Sequence, residues 1–274
     1  MQKGDWGGRE ERGIGLILCL TQSARRRGER KQQKKGEMKM RVANIKSFTM
    51  KAWKEAFCKI DHRAHWKDGR SAQSLAKFFV ERDGANTIKT IVDSVLSQDK
   101  VEELQEGKIE CECPFDSFST PRRQDMGIWG RTISGKKIFV GIEAKVDESF
   151  GPTVGEAFSA AMKYRKLHPK SKRVDRIKAL CDKFGTAHNA VEDLRYQLFH
   201  YTAGTACVPD VDIHVMLTMV FKTRLYVDKK ATQNKSDYEK FLEYFFFEDS
   251  GRWQLKKCGL PSCPYAIYHS VDLV

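Results

Sequence analysis

The sequence predicts an α/β chain, a mixed sheet flanked by helices in the order αβββαβ, with an extra C-terminal helix and a basic N-terminal arm. Three observations carry this. Apolar residues recur at helical spacing up to about residue 96, and the period then switches to alternation between about 108 and 146. A further helical stretch precedes a strongly alternating apolar run at 211–219.

Taken in order, Trp53 to Trp66 is mixed and aromatic and is assigned no regular element. Ala72, Leu75, Ala76, Phe78 and Phe79 then predict an amphipathic helix ending near Gly84, and Ile88, Ile91, Val92, Val95 and Leu96 predict a second. Lys108 to Cys113 alternates and stops at Pro114, a strand with Glu110 and Glu112 on one face and Cys111 and Cys113 on the other. Met126 to Thr132 and Lys137 to Val146 are two more strands around an Ile133-Ser134-Gly135-Lys136 turn. Phe150 to Gly155 breaks the chain. Lys163 to Lys178, with eight Lys or Arg against one Asp, is a basic insertion or helical pair. Asn189 and Glu192 have capping-box spacing for a helix to about Ala206, and Val211 to Met219 form a fourth strand. Because that strand follows a crossover helix, it is expected to pair in parallel. Ser236 and Glu239 predict the start of a last helix that turns Phe241, Leu242, Phe245 and Phe246 to the core.

The 274 residues suit one domain over 42–274, with its core at about 65–222, behind an arm over 1–41. Between Arg25 and Arg41, nine basic residues face only Glu29 and Glu37, so the arm reads as a disordered tail or a non-native extension, with Met38 and Met40 as alternative starts. A formal net charge of +13 and 31% charged residues point to a polyanionic partner. The apolar run Ile14 to Leu20 is far shorter than the ~20 residues that span a bilayer, and acidic residues precede it, so neither a membrane segment nor a signal peptide is expected. Eight cysteines without a C-x-x-C pair or zinc-type histidine spacing fit a reduced, cytoplasmic protein; Cys111 with Cys113 reads as packing, Cys258 with Cys263 as a loop thiol pair.

The most informative passage runs from Gln124 to Lys145. In an antiparallel hairpin, opposed residues share a face, and loop length fixes which residues oppose. A three-residue loop of Ile133, Ser134 and Gly135 sets Asp125 opposite Glu143 and gives Gly135 the left-handed position; a two-residue Ser-Gly turn would set Asp125 opposite Ala144, on the wrong face. Lys145, two residues beyond Glu143, joins the same face. Two hard carboxylates, with the Ala144 backbone carbonyl, suit Mg²⁺ or Mn²⁺, and Lys145 suits an attacking water or transition-state charge. The competing reading is a surface hairpin with an ordinary cross-strand ion pair.

With these residues in view, the sequence resembles the PD-(D/E)XK, restriction-endonuclease-like nuclease superfamily: Asp125 and Glu143-Ala144-Lys145 match its core motif, with Gln124 where proline often stands. Trp66 to Ala72, Ile142 to Glu156 and Leu194 to Gly204 are similar to a largely uncharacterised bacterial family within it, over roughly residues 65–220. The resemblance implies that fold; the leading functional reading is a metal-dependent nuclease acting on DNA in defence, repair or mobile-element biology. Gln197 and Tyr201, one helical turn apart, resemble a Q-x-x-x-Y element that some exonuclease branches place beside the metal; Gln197 is assigned to the site, whereas Tyr201 also suits the core.

Lys163, Arg165, Lys166, Lys170, Lys172 and Arg173 are candidate nucleic-acid contacts, with a solvated helix face as the competing reading. Arg195 and His200 are weaker candidates for phosphate, a satisfied or exposed role being the favoured reading of each. Glu110 and Glu112 read as a solvated face, with a second metal as the alternative, and Asp147, Glu148 and Glu156 as groups behind the ligands. The rival functions are a catalytically inactive nucleic-acid-binding module of the same fold and an interaction protein with incidental charges. Self-association is left open.

Overall fold

The switch from helical to alternating period marks where the chain enters its sheet. The computed structural model describes residues 40–273 apart from 44, 46, 61–64, 119 and 120; the basic arm lies outside the described residues except for Met40 and Arg41. Among them an eight-stranded sheet runs in the order β1 (Arg41–Val42), β2 (Val101–Glu112), β3 (Arg123–Thr132), β4 (Lys137–Lys145), β5 (Ile213–Lys222), β8 (Tyr265–Asp272), β7 (Arg252–Leu255), β6 (Phe246–Asp249). β2, β3 and β4 are antiparallel, while β4, β5 and β8 are mutually parallel, so the sheet is mixed.

Helices cover both faces. On one lie α1 (Met50–Ile60), α2 (Ser71–Glu81) and α3 (Gly84–Asp93). Trp53, Phe78, Phe79, Ile88 and Val92 from these helices meet Ile138, Val140 and Ile142 of β4 and Val215, Leu217 and Phe221 of β5. On the other lie α4 (Val154–Leu167), α5 (Arg173–Lys183), α6 (Tyr196–Ala206) and α7 (Asp228–Phe245). There Phe199 packs at 5.0–5.2 Å from Phe184, Phe241 and Phe245. β4 is buried along its length after Lys137 because both of its faces carry helices, which is why it reads as a nearly continuous apolar run. Among the described residues no helix is long and apolar enough to cross a membrane.

Four expectations are corrected. Trp53, Ala56 and Phe57 anchor a helix, α1, where none was assigned. The helix expected from Asn189 starts only at Tyr196; the preceding segment is a short 3-10 turn and bends, because the carbonyls of Glu192 and Leu194 accept hydrogen bonds from Gly155 and Val154 at the start of α4. Ser236 is not a cap but lies inside α7, which begins eight residues earlier at Asp228. Phe246 is buried as expected but opens β6, and the last three strands extend the sheet from β5, where only a helix was foreseen. The basic segment is a helical pair, and α4 begins on a capping box between Thr153 and Glu156.

The hairpin register agrees with the loop arithmetic. Met126 pairs with Ile142 and Arg131 with Lys137, and Gly135, at φ 86°, donates its N–H to the Thr132 carbonyl. Ser134 ties the tip down through its N–H and hydroxyl to Asp99, at 3.0 and 2.7 Å. A Cβ at Gly135 would meet nothing within 4 Å, so backbone strain alone opposes substitution there. Gly135→Ala is therefore expected to cost about 1–2 kcal/mol, the left-handed penalty for a residue with a Cβ; equal urea midpoints for the variant and the parent chain would contradict this turn geometry.

Candidate functional site

Residues at odd positions of β4 face α6, since the even ones are committed to the α1–α3 side. One lock sets α6 against them. The Tyr201 hydroxyl donates to the Gly141 carbonyl at 2.8 Å, and the Gln124 amide donates to the Tyr201 carbonyl and the Thr205 hydroxyl at 3.2 and 2.9 Å. Gly141 is required for this approach, because a Cβ there would stand 2.1 Å from Gln124 Oε1. Tyr201 is thus a buried core residue, and Gln197, one turn earlier on the same face, reaches the end of β4.

There Lys145 Nζ donates to Glu143 Oε1 at 2.7 Å and to Gln197 Oε1 at 3.1 Å, while Gln197 Nε2 donates to the same Glu143 oxygen at 2.7 Å. The three side chains close a ring. Both members of the ion pair are buried, and Phe150 lies under the ammonium with its ring centroid 5.3 Å away. Asp125 joins from β3, its Oδ2 accepting the Ala144 N–H at 2.6 Å. In an extended strand the N–H and C=O of one residue point to the same edge, so the Ala144 carbonyl lies on the Asp125 side.

Burial, then the charges of Glu143 and Glu110, hold the Asp125 carboxyl well above the usual carboxylate range. For Lys145, burial works against the charge, but Glu143 and Asp125 outweigh it and leave the ammonium held more tightly than in an ordinary lysine. Two carboxylates thus share one ammonium in a desolvated place, and the hydrogen bonds engage one oxygen of each. That excess of negative charge and those hard oxygens fit a divalent cation. Among the described residues no group of three or more His, Cys, Asp and Glu side chains is placed to hold a metal.

The remaining candidates separate. Glu110 sits across from Asp125, between the pairs Ile109–Met126 and Cys111–Gln124, with its backbone at φ 48°, so the expected strict alternation breaks there. Glu112 instead pairs with Arg123 at 3.0 Å. Cys111 and Cys113 do share a side, 3.7 Å apart, packed with Phe139. Arg195 is taken up internally by Asp237, at 2.7 Å, and the Gly151 carbonyl, at 2.8 Å, rather than offered to phosphate. Arg165 is likewise held by Asp175, and Arg173 lies 4.0 Å over the Tyr164 ring. Lys163, Lys166, Lys170 and Lys172 are exposed. A cleft of about 400 Å³ beside α4, lined by Glu156, Phe158, His188 and Glu192 among others, includes none of the carboxylate-site residues.

Sequence reasoning missed the groups that hold the loop after β4. Arg70 reaches Asp147 at 3.1 Å, the Ser71 hydroxyl donates to Glu148 at 3.1 Å, and Asn234 donates to the Glu148 carbonyl at 2.8 Å. The signal was present in the Trp66 to Ala72 stretch, which had been noted without a role. Glu156 serves the α4 capping box.

The family described as Domain of unknown function (DUF6946) matches residues 46–261 of the chain. No curated protein and no solved structure matches it.

The charge imbalance has a thermodynamic signature. A carboxyl whose folded pKa is raised binds its proton more tightly when folded, so stability falls as pH rises from the unfolded pKa of about 3.9 towards the folded value. Asp125→Asn removes this penalty while keeping an acceptor for the Ala144 N–H. At neutral pH with chelator present, its melting temperature should exceed the parent's by a few degrees, and the gain should vanish below about pH 4. A variant that is less stable at neutral pH would contradict the electrostatics of the site.

Proposed function

The chain belongs to the DUF6946 family, and we propose that it is a metal-dependent nuclease with a restriction-endonuclease-like, PD-(D/E)XK core, acting on DNA. The observation that carries this reading is the closed Glu143–Lys145–Gln197 ring with Asp125, on the neighbouring strand, accepting the Ala144 N–H beside it. A structural ion pair requires one acid, whereas this site gathers a second beside it at an energetic cost. Such cost is common where chemistry demands it.

Asp125, Glu143 and the Ala144 carbonyl are the groups that would hold Mg²⁺ or Mn²⁺, which supplies a water of lowered pKa and neutralises charge growing on the phosphate. Lys145 keeps its proton and presents a fixed positive charge to the attacking water or to the phosphate oxygens. Gln197 binds both partners of the ion pair, so it orients the lysine and leaves the second Glu143 oxygen for a ligand. The exposed lysines of α4 and the turn after it add affinity for the backbone without reading sequence.

The test is cleavage of linear, circular and single-stranded DNA and of RNA with Mg²⁺ or Mn²⁺. Cleavage should stop with chelator or in Glu143→Gln, and Lys145→Ala should lower kcat by roughly 10²–10³-fold, as loss of one charge-stabilising donor does. No cleavage above the Lys145→Ala level on any substrate would overturn the enzyme reading; salt-sensitive binding retained without cleavage would mark an inactive nucleic-acid-binding module.

A further inference from the structure

The face of α6 that carries Gln197 also carries His200, one turn further on, and this ring does not belong to the carboxylate site. His200 packs edge-on against Tyr196 at 5.5 Å and lies within the fields of Arg122, Arg176 and Lys145. Burial first, then those cations, push its pKa down to about 3, so it is neutral at physiological pH, with one ring nitrogen a donor and the other an acceptor.

The three cations differ in their partners. Lys145 has Glu143, and Arg176 has Asp116 through two bonds of 2.8 and 3.1 Å. Arg122, half-buried just ahead of β3, has no ion pair among the described residues. Its guanidinium carbon stands 5.8 Å from the Tyr196 ring centroid, and its Nε is sealed from solvent without a hydrogen-bond partner. A half-buried guanidinium with no acid beside it among the described residues keeps donors for a ligand, and its planar fork fits an oxyanion.

Tyr196 links the two groups, lying 5.8 Å from the Arg122 guanidinium carbon and 5.5 Å from the His200 ring. Arg122 precedes Asp125 by three residues, roughly 10 Å along a strand, and His200 follows Gln197 by three, roughly 5 Å along a helix. We propose that Arg122, Tyr196 and His200 form an anion subsite that takes a phosphate of the substrate strand neighbouring the one cleaved. The assignment of the anion to a nucleic-acid strand rests on the nuclease reading; the anion site itself does not. Arg122 supplies the charge, Tyr196 a neutral hydroxyl donor and His200 a neutral ring N–H, while Arg176, bound to Asp116, contributes long-range field.

The experiment compares melting temperatures of the full chain in sodium phosphate and in sodium chloride at equal ionic strength with chelator present, for the parent, Arg122→Gln, Arg122→Lys, Tyr196→Phe, Glu143→Gln and Lys166→Gln. Phosphate should stabilise the parent, Glu143→Gln and Lys166→Gln alike. That increment should disappear in Arg122→Gln and shrink in Arg122→Lys and Tyr196→Phe, which also serve if the glutamine variant does not fold. Affinity for a single-stranded oligodeoxynucleotide should fall about tenfold or more in Arg122→Gln, the loss of a charged hydrogen bond. An unchanged phosphate increment in the arginine variants would overturn the subsite, even if the chain cleaves DNA. An Arg122-dependent increment in a chain that cleaves nothing would sustain the anion site and remove the nuclease reading.

Discussion

The structure depends on one constraint: β4 is covered by helices on both faces, yet ends in Glu143 and Lys145. A charged pair at such a place is stable only if it is well paired and further hydrogen-bonded. Gln197 supplies those bonds, and it can do so only because α6 is seated on β4 through Tyr201, Gln124 and the bare backbone of Gly141. The packing of one helix on one strand therefore determines the geometry of the candidate site.

The same economy governs the surrounding charges. Asp147 and Glu148 are turned towards Arg70 and Ser71, Arg195 towards Asp237, and Arg176 towards Asp116, so most charge near the end of β4 is internally compensated. Two imbalances remain among the described residues, an extra carboxylate at Asp125 and a guanidinium without an acid at Arg122. They have opposite sign and lie three residues apart in the chain. A ligand with a cation at one end and a phosphate at the other would relieve both.

Several features were legible in the sequence for local reasons. The hairpin register followed from loop length and the glycine at its left-handed position, and the parallel β5 from the crossover helix before it. Gln197 was legible because one helical turn separates it from Tyr201, whose apolar neighbours already suited the core where the structure buries it. Arg195 suits phosphate by its chemistry and a satisfied role equally by type; its partner Asp237, 42 residues later, is what the sequence does not point to. The start of α6 and the C-terminal strands were missed because their backbone partners, on α4 and β5, come from distant segments.

By itself, then, the sequence determined the α/β class and the register of the central hairpin, which brings Asp125 beside the end of β4, since periodicity and loop length act over a few residues. Tertiary structure alone decided which polar groups are spent and which remain for a ligand. Arg70 and Ser71 became braces, Arg195 an internal ion-pair partner, and Arg122 a cation without an acid among the described residues. Hydrogen bonds and counter-charges are finite and are shared between residues far apart in the chain, so a side chain's availability depends on the folded neighbourhood, which residue type and spacing do not encode.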